Sequence, residues 1–175
     1  SKQQNIVYDM TRNLFYSYGL DDENYGTPNW NPLGALIKPG DKVLIKPNLV
    51  RHYHPYNMDV LSIFTNGSLI REVLDYVYIA LGGKGEIVIG DAPLQSCDFD
   101  EIKKLAGLNE IKNFYANKRI NIKLIDFRLV RAFVDRSSVY GDFLRQDKLP
   151  GDPSGYTKIN LGKNSFLEPV SDYYR

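Results

Sequence analysis

Three stretches of this sequence predict an α/β fold with a mainly parallel sheet. A first strand is predicted near 43–47, within the stretch 43–50, where the apolar residues Val43, Leu44 and Ile45 give way abruptly to Lys46, Pro47 and Asn48. Residues 86–90, Glu-Ile-Val-Ile-Gly, form a second run that ends in Asp91, Ala92 and Pro93. Between them, residues 68–81 place Leu69, Ile70, Val73, Leu74, Val77 and Ala80 on one helical face. Strand, polar tip, helix, strand, polar tip is the layout of a βαβ unit with parallel strands and a right-handed crossover. Such sheets gather ligand-binding groups at the carboxyl ends of their strands. The prediction is one three-layer-like α/β domain over residues 1–175, with a third strand at 121–126 and an added β segment at 156–161.

The other elements follow in chain order. Ile6, Met10, Leu14 and Tyr18 recur at near-helical spacing, predicting an amphipathic first helix that Gly19 ends. Residues 21–32 are rich in Asn, Asp, Gly and Pro and read as an ordered loop carrying Trp30. Residues 33–37 suit a short helical turn, and Pro39, Gly40 and Asp41 make a tight turn into the first strand. Residues 49–64 are polar and aromatic, a loop long enough to suggest a functional segment or a lid. Gly82 and Gly83 stop the main helix. Asp98 is placed to cap a helix over residues 98–105, and another helix spans about 108–117. Residues 127–133 extend or bend away from the third strand, and 140–153 are polar and turn-rich. Residues 162–165 close the segment at 156–161.

Composition narrows the class. At 43% apolar and 25% charged residues, the chain has the make-up of a globular domain with a core. The 22 basic and 21 acidic residues nearly cancel, so no global electrostatic footprint for nucleic acid is present. A single cysteine, Cys97, excludes an internal disulfide and any cysteine-based cluster within the chain, and favours a reducing cytoplasm. No apolar stretch approaches the roughly 20 residues of a spanning helix, and no signal segment opens the chain. The start at Ser1 and the end at Arg175, after Tyr173 and Tyr174, suggest a fragment of a longer protein.

The polar tips hold the candidate chemistry. Lys46 can neutralise a phosphate or carboxylate as a point charge, or simply reach solvent from a strand end. Asn48 beside it offers both donor and acceptor. Thr65, Asn66, Gly67 and Ser68 open the main helix, where they either cap it or help its free N–H groups hold an anion. They form neither a dinucleotide fingerprint nor a P-loop. Asp91 can act as a base, hold sugar hydroxyls, bind a metal or cap a turn, and Gln95 and Ser96 would line the same crevice. Cys97 has no local base to activate it as a nucleophile. His52 and His54, two apart, face one side of an extended segment and with Asp59 form a weak metal pattern, so no metal site is assigned. Thirteen tyrosines suit carbohydrate stacking and ordinary packing equally.

Residues 43–50, residues 65–71 (Thr-Asn-Gly-Ser-Leu-Ile-Arg) and residues 89–93 (Ile-Gly-Asp-Ala-Pro), taken in order, resemble the DUF362 family of uncharacterised proteins. Residues 152–156 (Asp-Pro-Ser-Gly-Tyr) and 160–165 are similar to that family's next block. The resemblance implies a longer protein, with a Pro-Lys-Leu-Lys-type segment and a histidine following, and a setting among polysaccharide-synthesis functions. Some relatives carry ferredoxin-like cysteine clusters, which one cysteine excludes in this chain. The family has no settled activity, so the cofactor is unknown and enzymatic function is open.

The expectation is a domain that binds a small anionic or sugar-like ligand. Lys46 and Asp91 would be its catalytic pair, and Asn48, Thr65, Asn66, Gly67, Ser68, Gln95 and Ser96 its ligand-binding set. The alternative is a non-catalytic scaffold of a polysaccharide-assembly or redox accessory protein. Expected partners are the small ligand and the rest of the same chain, with no nucleic acid and no membrane span.

Overall fold

The computed structural model describes residues 5–118, 120–135 and 142–170. The terminal pair Tyr173 and Tyr174, the chain ends and the start of the turn-rich stretch at 140–141 lie outside them. The described elements are α1 (Ile6–Ser17), β1 (Lys42–Ile45), α2 (Gly67–Leu81), β2 (Glu86–Asp91), α3 (Phe99–Leu105), α4 (Leu108–Ala116), β3 (Asn121–Asp126), β4 (Val130–Asp135) and β5 (Asp142–Lys148).

The three predicted strands form one parallel sheet in the order β1-β2-β3. Register aligns Val43 with Ile87 and Ile122, and Ile45 with Ile89 and Leu124. That row faces the helices: Ile87, Ile89 and Ile122 share one core with Leu74, Val77 and Leu81 of α2, Ile102 of α3, and Ile111 and Tyr115 of α4. The central strand is buried along almost its whole length, which is why it reads as a continuous apolar run rather than an alternating one. On the opposite face Glu86 pairs with Lys42 and Lys123, and the Phe127 ring lies against Gly90, where a Cβ would sit 2.7 Å from its carbons.

Caps fix the helix ends as the sequence indicates. The Asn66 side chain accepts from the Ser68 N–H, and Gly82 ends α2 in the left-handed conformation at φ 56°. Asp98 accepts from the Asp100 and Glu101 N–H groups, with Lys103 and Lys104 in the last turn of α3.

Two expectations are corrected. Residues 156–161 form no strand. Instead β4 and β5 pair as an antiparallel hairpin in a second, two-stranded sheet. The alternating pattern at 156–161 finds no partner, whereas 130–135 and 142–148 pair with each other. The first helix forms, but its predicted apolar stripe is outside: Ile6, Met10, Leu14 and Tyr18 are 70%, 66%, 51% and 75% exposed. Its inward face is Thr11, with Tyr8 and Phe15 partly buried, because Glu72, Asp75 and Tyr76 of α2 supply polar and aromatic partners there. No helix among the described residues is long and apolar enough to cross a membrane.

Candidate functional site at the strand tips

Proline ends the first strand. Pro47 has no N–H to donate, so the β1 ladder stops at Ile45 and the chain leaves the sheet at Lys46. β2 continues to Asp91, which therefore projects beyond the end of its neighbour. The Lys46 ammonium reaches across to it: Nζ lies 2.8 Å from Asp91 Oδ1, and also donates to Asn48 Oδ1 at 3.2 Å. The second carboxylate oxygen, Oδ2, accepts from the Leu49 N–H at 2.8 Å.

Asn48 and Thr65 join the same cluster. The Asn48 N–H donates to Thr65 Oγ1 at 3.0 Å, and the Thr65 N–H returns to the Asn48 carbonyl at 2.8 Å. This reciprocal pair closes the neck of the 49–64 loop, whose ends meet as in a compact Ω-loop. Leu49 and Phe64, just inside the neck, are buried in the core. Val50 beside them adopts φ 47°, a left-handed conformation that strains a β-branched residue, and its carbonyl accepts from the Leu94 N–H at 2.9 Å.

A groove of about 430 Å³ opens beside this cluster. Lys46, Asn48 and Thr65 form its polar end, and Leu69, Val73 and Val77 of α2 line the apolar remainder against β1. Asp91 is not part of its wall. The Lys46 side chain is 56% exposed and that of Asp91 only 7%. An ammonium carries three donors, and Asp91 and Asn48 engage two of them.

The remaining predicted residues lie elsewhere. Asn66, Gly67 and Ser68 border a separate hollow with Leu105, Ala106 and Gly107 of the α3–α4 turn. Gly67 packs so closely there that a Cβ would fall 2.1 Å from the Ala106 carbonyl oxygen. Gln95 contributes its carbonyl, to Ala132 N–H and Arg128, while Ser96 accepts from the Tyr53 hydroxyl at 3.3 Å. Cys97 is fully buried, and burial pushes its thiol up to about 11, the state of an inert core thiol. His52 accepts from the Asp98 N–H, His54 from the Tyr56 N–H, and Asp59 caps a 3₁₀ turn at Val60–Ser62, so the three do not converge. Among the described residues no group of three or more His, Cys, Asp or Glu is placed to hold a metal.

Comparison with protein families, curated proteins and solved structures gives no match. Local geometry is therefore the whole ground for a functional reading.

Two residues of this region were not singled out in the sequence. Asp126 is the register partner of Asp91 at the end of β3. It is held by Arg128, whose Nε and Nη2 lie 2.9 and 2.6 Å from its two oxygens. Arg128 is itself buried and uses Nη1 to bind the carbonyls of Leu94, Gln95 and Cys97. That cation fastens the loop after β2 to the end of β3. The available signal was an acid closing the third strand as Asp91 closes the second, followed two residues later by an arginine.

Proposed function

We propose that this domain binds a small ligand bearing a carboxylate or phosphate, with Lys46 as its cationic anchor and the adjoining groove as the bed for its less polar part. One observation carries the reading: a half-exposed lysine side chain lines the polar end of a groove, its ammonium held by a buried carboxylate. Asn48 and Thr65 supply further polar contacts at that end. In this reading Asp91 positions Lys46, since its two oxygens are turned to Lys46 and to the Leu49 N–H rather than to the groove. A sugar-like ligand fits when it carries an acid or a phosphate ester. The DUF362 resemblance and its polysaccharide setting are proposals that rest on sequence motifs alone.

Titration with inorganic phosphate and with hexanoate, followed by two-dimensional NMR, tests the site. Saturable shifts at Lys46, Asn48 and Thr65 are expected, together with loss of binding in Lys46→Ala. Affinity unchanged in that variant would refute the assignment.

A second reading has its own support, because the Lys46–Asp91 pair and the Leu49 N–H together tie the ends of β1 and β2. In a scaffold the pair is a lock, and Lys46→Ala would lower the melting temperature markedly. In a binding site the exposed lysine contributes little to folding, and the melt would barely move.

A further inference from the structure

A second cavity lies on another face of α2, away from the strand tips. It encloses about 530 Å³ between α1, the loop at residues 20–31 and α2, a volume typical of small-molecule sites. Tyr8, Tyr25, Trp30 and Tyr76 provide aromatic walls, and Arg12 and Asp75 bring charge to it. We infer that this cleft is a binding site for a neutral hexopyranose ring, a function independent of the Lys46 groove.

The walls are held in place before any ligand arrives. Asp21 folds the loop by accepting the Asn31 N–H and the Asn24 amide, each at 2.6 Å. Hydrogen bonding from these groups holds its carboxyl below the usual carboxylate range. The Trp30 indole N–H donates to the Leu20 carbonyl at 3.1 Å, which fixes the ring. Trp30 then stands edge-to-face with Tyr25 at 5.2 Å and with Tyr76 at 5.5 Å, while Tyr25 stacks on Tyr16 at 4.1 Å. Preorganised aromatic surface of this kind costs little conformational entropy on binding.

Charge decides which ligand suits the cleft. Four aromatic rings around a carboxylate would ordinarily suggest a cage for a quaternary ammonium. Here the carboxylate is already committed: Asp75 accepts from the hydroxyls of Tyr8 and Tyr115 and pairs with Arg71 at 3.3 Å. Burial and this same bond hold the Tyr8 phenol far above its ordinary range, so it stays a neutral donor. Arg12 on the rim adds a positive charge that opposes a cation. An anion would meet Arg12 but also the Asp75 carboxylate in the same wall, so neither sign of charge is favoured. A neutral ring with an apolar C–H face and a rim of hydroxyls meets neither objection. Its face stacks on the aromatic quadrupoles, and its hydroxyls accept from the guanidinium of Arg12, which has donors beyond the one engaged by Asp9.

Trp30 is the sole tryptophan of the chain, so its fluorescence reports on this cleft alone. The experiment titrates the whole protein with glucose, galactose and N-acetylglucosamine, with tetramethylammonium and inorganic phosphate as charged comparators. A saturable spectral change with at least one sugar, at millimolar dissociation constant, is expected. Tyr25→Ala and Arg12→Gln should each weaken it by about tenfold or more. Arg12 is an exposed residue, so its variant retains the fold even if removal of the Tyr25 ring disturbs the loop. The proposal is overturned by no saturable response to any of the three sugars. It is equally overturned by a response to tetramethylammonium or phosphate in place of sugar, or by sugar binding that Arg12→Gln leaves unchanged.

Discussion

At Lys46 and Asp91 two partners of one ion pair differ in what their loss would leave behind. Removing Lys46 takes away a half-exposed side chain, for which a surface pairing is worth about 0–1 kcal/mol, with some further cost because the buried Asp91 carboxylate then keeps only its bond from the Leu49 N–H. Removing Asp91 leaves the Leu49 N–H, at a fully buried residue, without its acceptor, which costs about 1–3 kcal/mol. Asp91→Ala is therefore expected to lower stability more than Lys46→Ala, as read from urea midpoints. The reverse order would mean that Lys46 carries the architecture. Val50 offers a different test at the same scale. A left-handed β-branched residue stores about 1–3 kcal/mol of strain. Glycine relieves it at an entropic cost of about 0.5–1 kcal/mol. Val50→Gly should thus stabilise the protein by about 1 kcal/mol, and a loss of stability would show that the Val50 side chain packs well enough to offset its strain.

At the scale of elements, the sequence was legible wherever apolar residues meet the core. β1, β2, β3 and the helices from α2 to α4 follow from apolar runs, apolar periodicity and caps such as Asn66 and Asp98. That Lys46, Asn48 and Asp91 come together was legible because strand tips on a parallel sheet converge. Asn66, Gly67 and Ser68 were misplaced because spacing cannot show that Gly67 abuts Ala106. The hairpin of β4 and β5 escaped notice because β5 is rich in charge (Asp142, Arg145, Asp147 and Lys148) and the two strands pair with each other rather than with the main sheet. For α1, periodicity gave the helix but not its inward face, since polar contacts chose that face. Thr11 donates to Glu72 Oε2 at 2.9 Å, while Glu72 Oε1 is buried without a hydrogen-bond partner. Burial raises the Glu72 carboxyl above its ordinary value, against the opposing bond from Thr11 and the nearby Arg12. The raised folded value means the protonated acid favours folding. That contribution is complete below the ordinary glutamate pKa of about 4.3 and is lost as pH rises through the elevated folded value. Glu72→Gln keeps the bond from Thr11 and removes the buried charge. It should be more stable than the parent at neutral pH, with the difference vanishing in acid, as checked by urea unfolding at both.

Over the whole molecule, stability should be layered, and the strand-tip site should sit on its most stable part. β2 is hydrogen-bonded on both sides and buried against α2, α3 and α4, so its amides open only when the main core is lost. The hairpin of β4 and β5 is attached by fewer ties, among them the Ala132 N–H to the Gln95 carbonyl and the Arg131–Asp98 ion pair at 2.8 Å. Its β5 side chains from 143 to 148 are exposed, as are most residues from 152 to 169. Native-state hydrogen exchange should accordingly find Ile87, Val88 and Ile89 the slowest amides, exchanging with the free energy of global unfolding. Those of β5 should exchange faster by orders of magnitude through local opening. This gradient has a functional consequence. Asp91 ends the central strand β2 and holds Lys46, and the groove beside them is walled by β1 and α2 rather than by the hairpin, so the Lys46–Asp91 geometry should persist while the hairpin opens locally. Protection in β5 equal to that of β2 would instead make the hairpin part of the same cooperative unit as the main sheet.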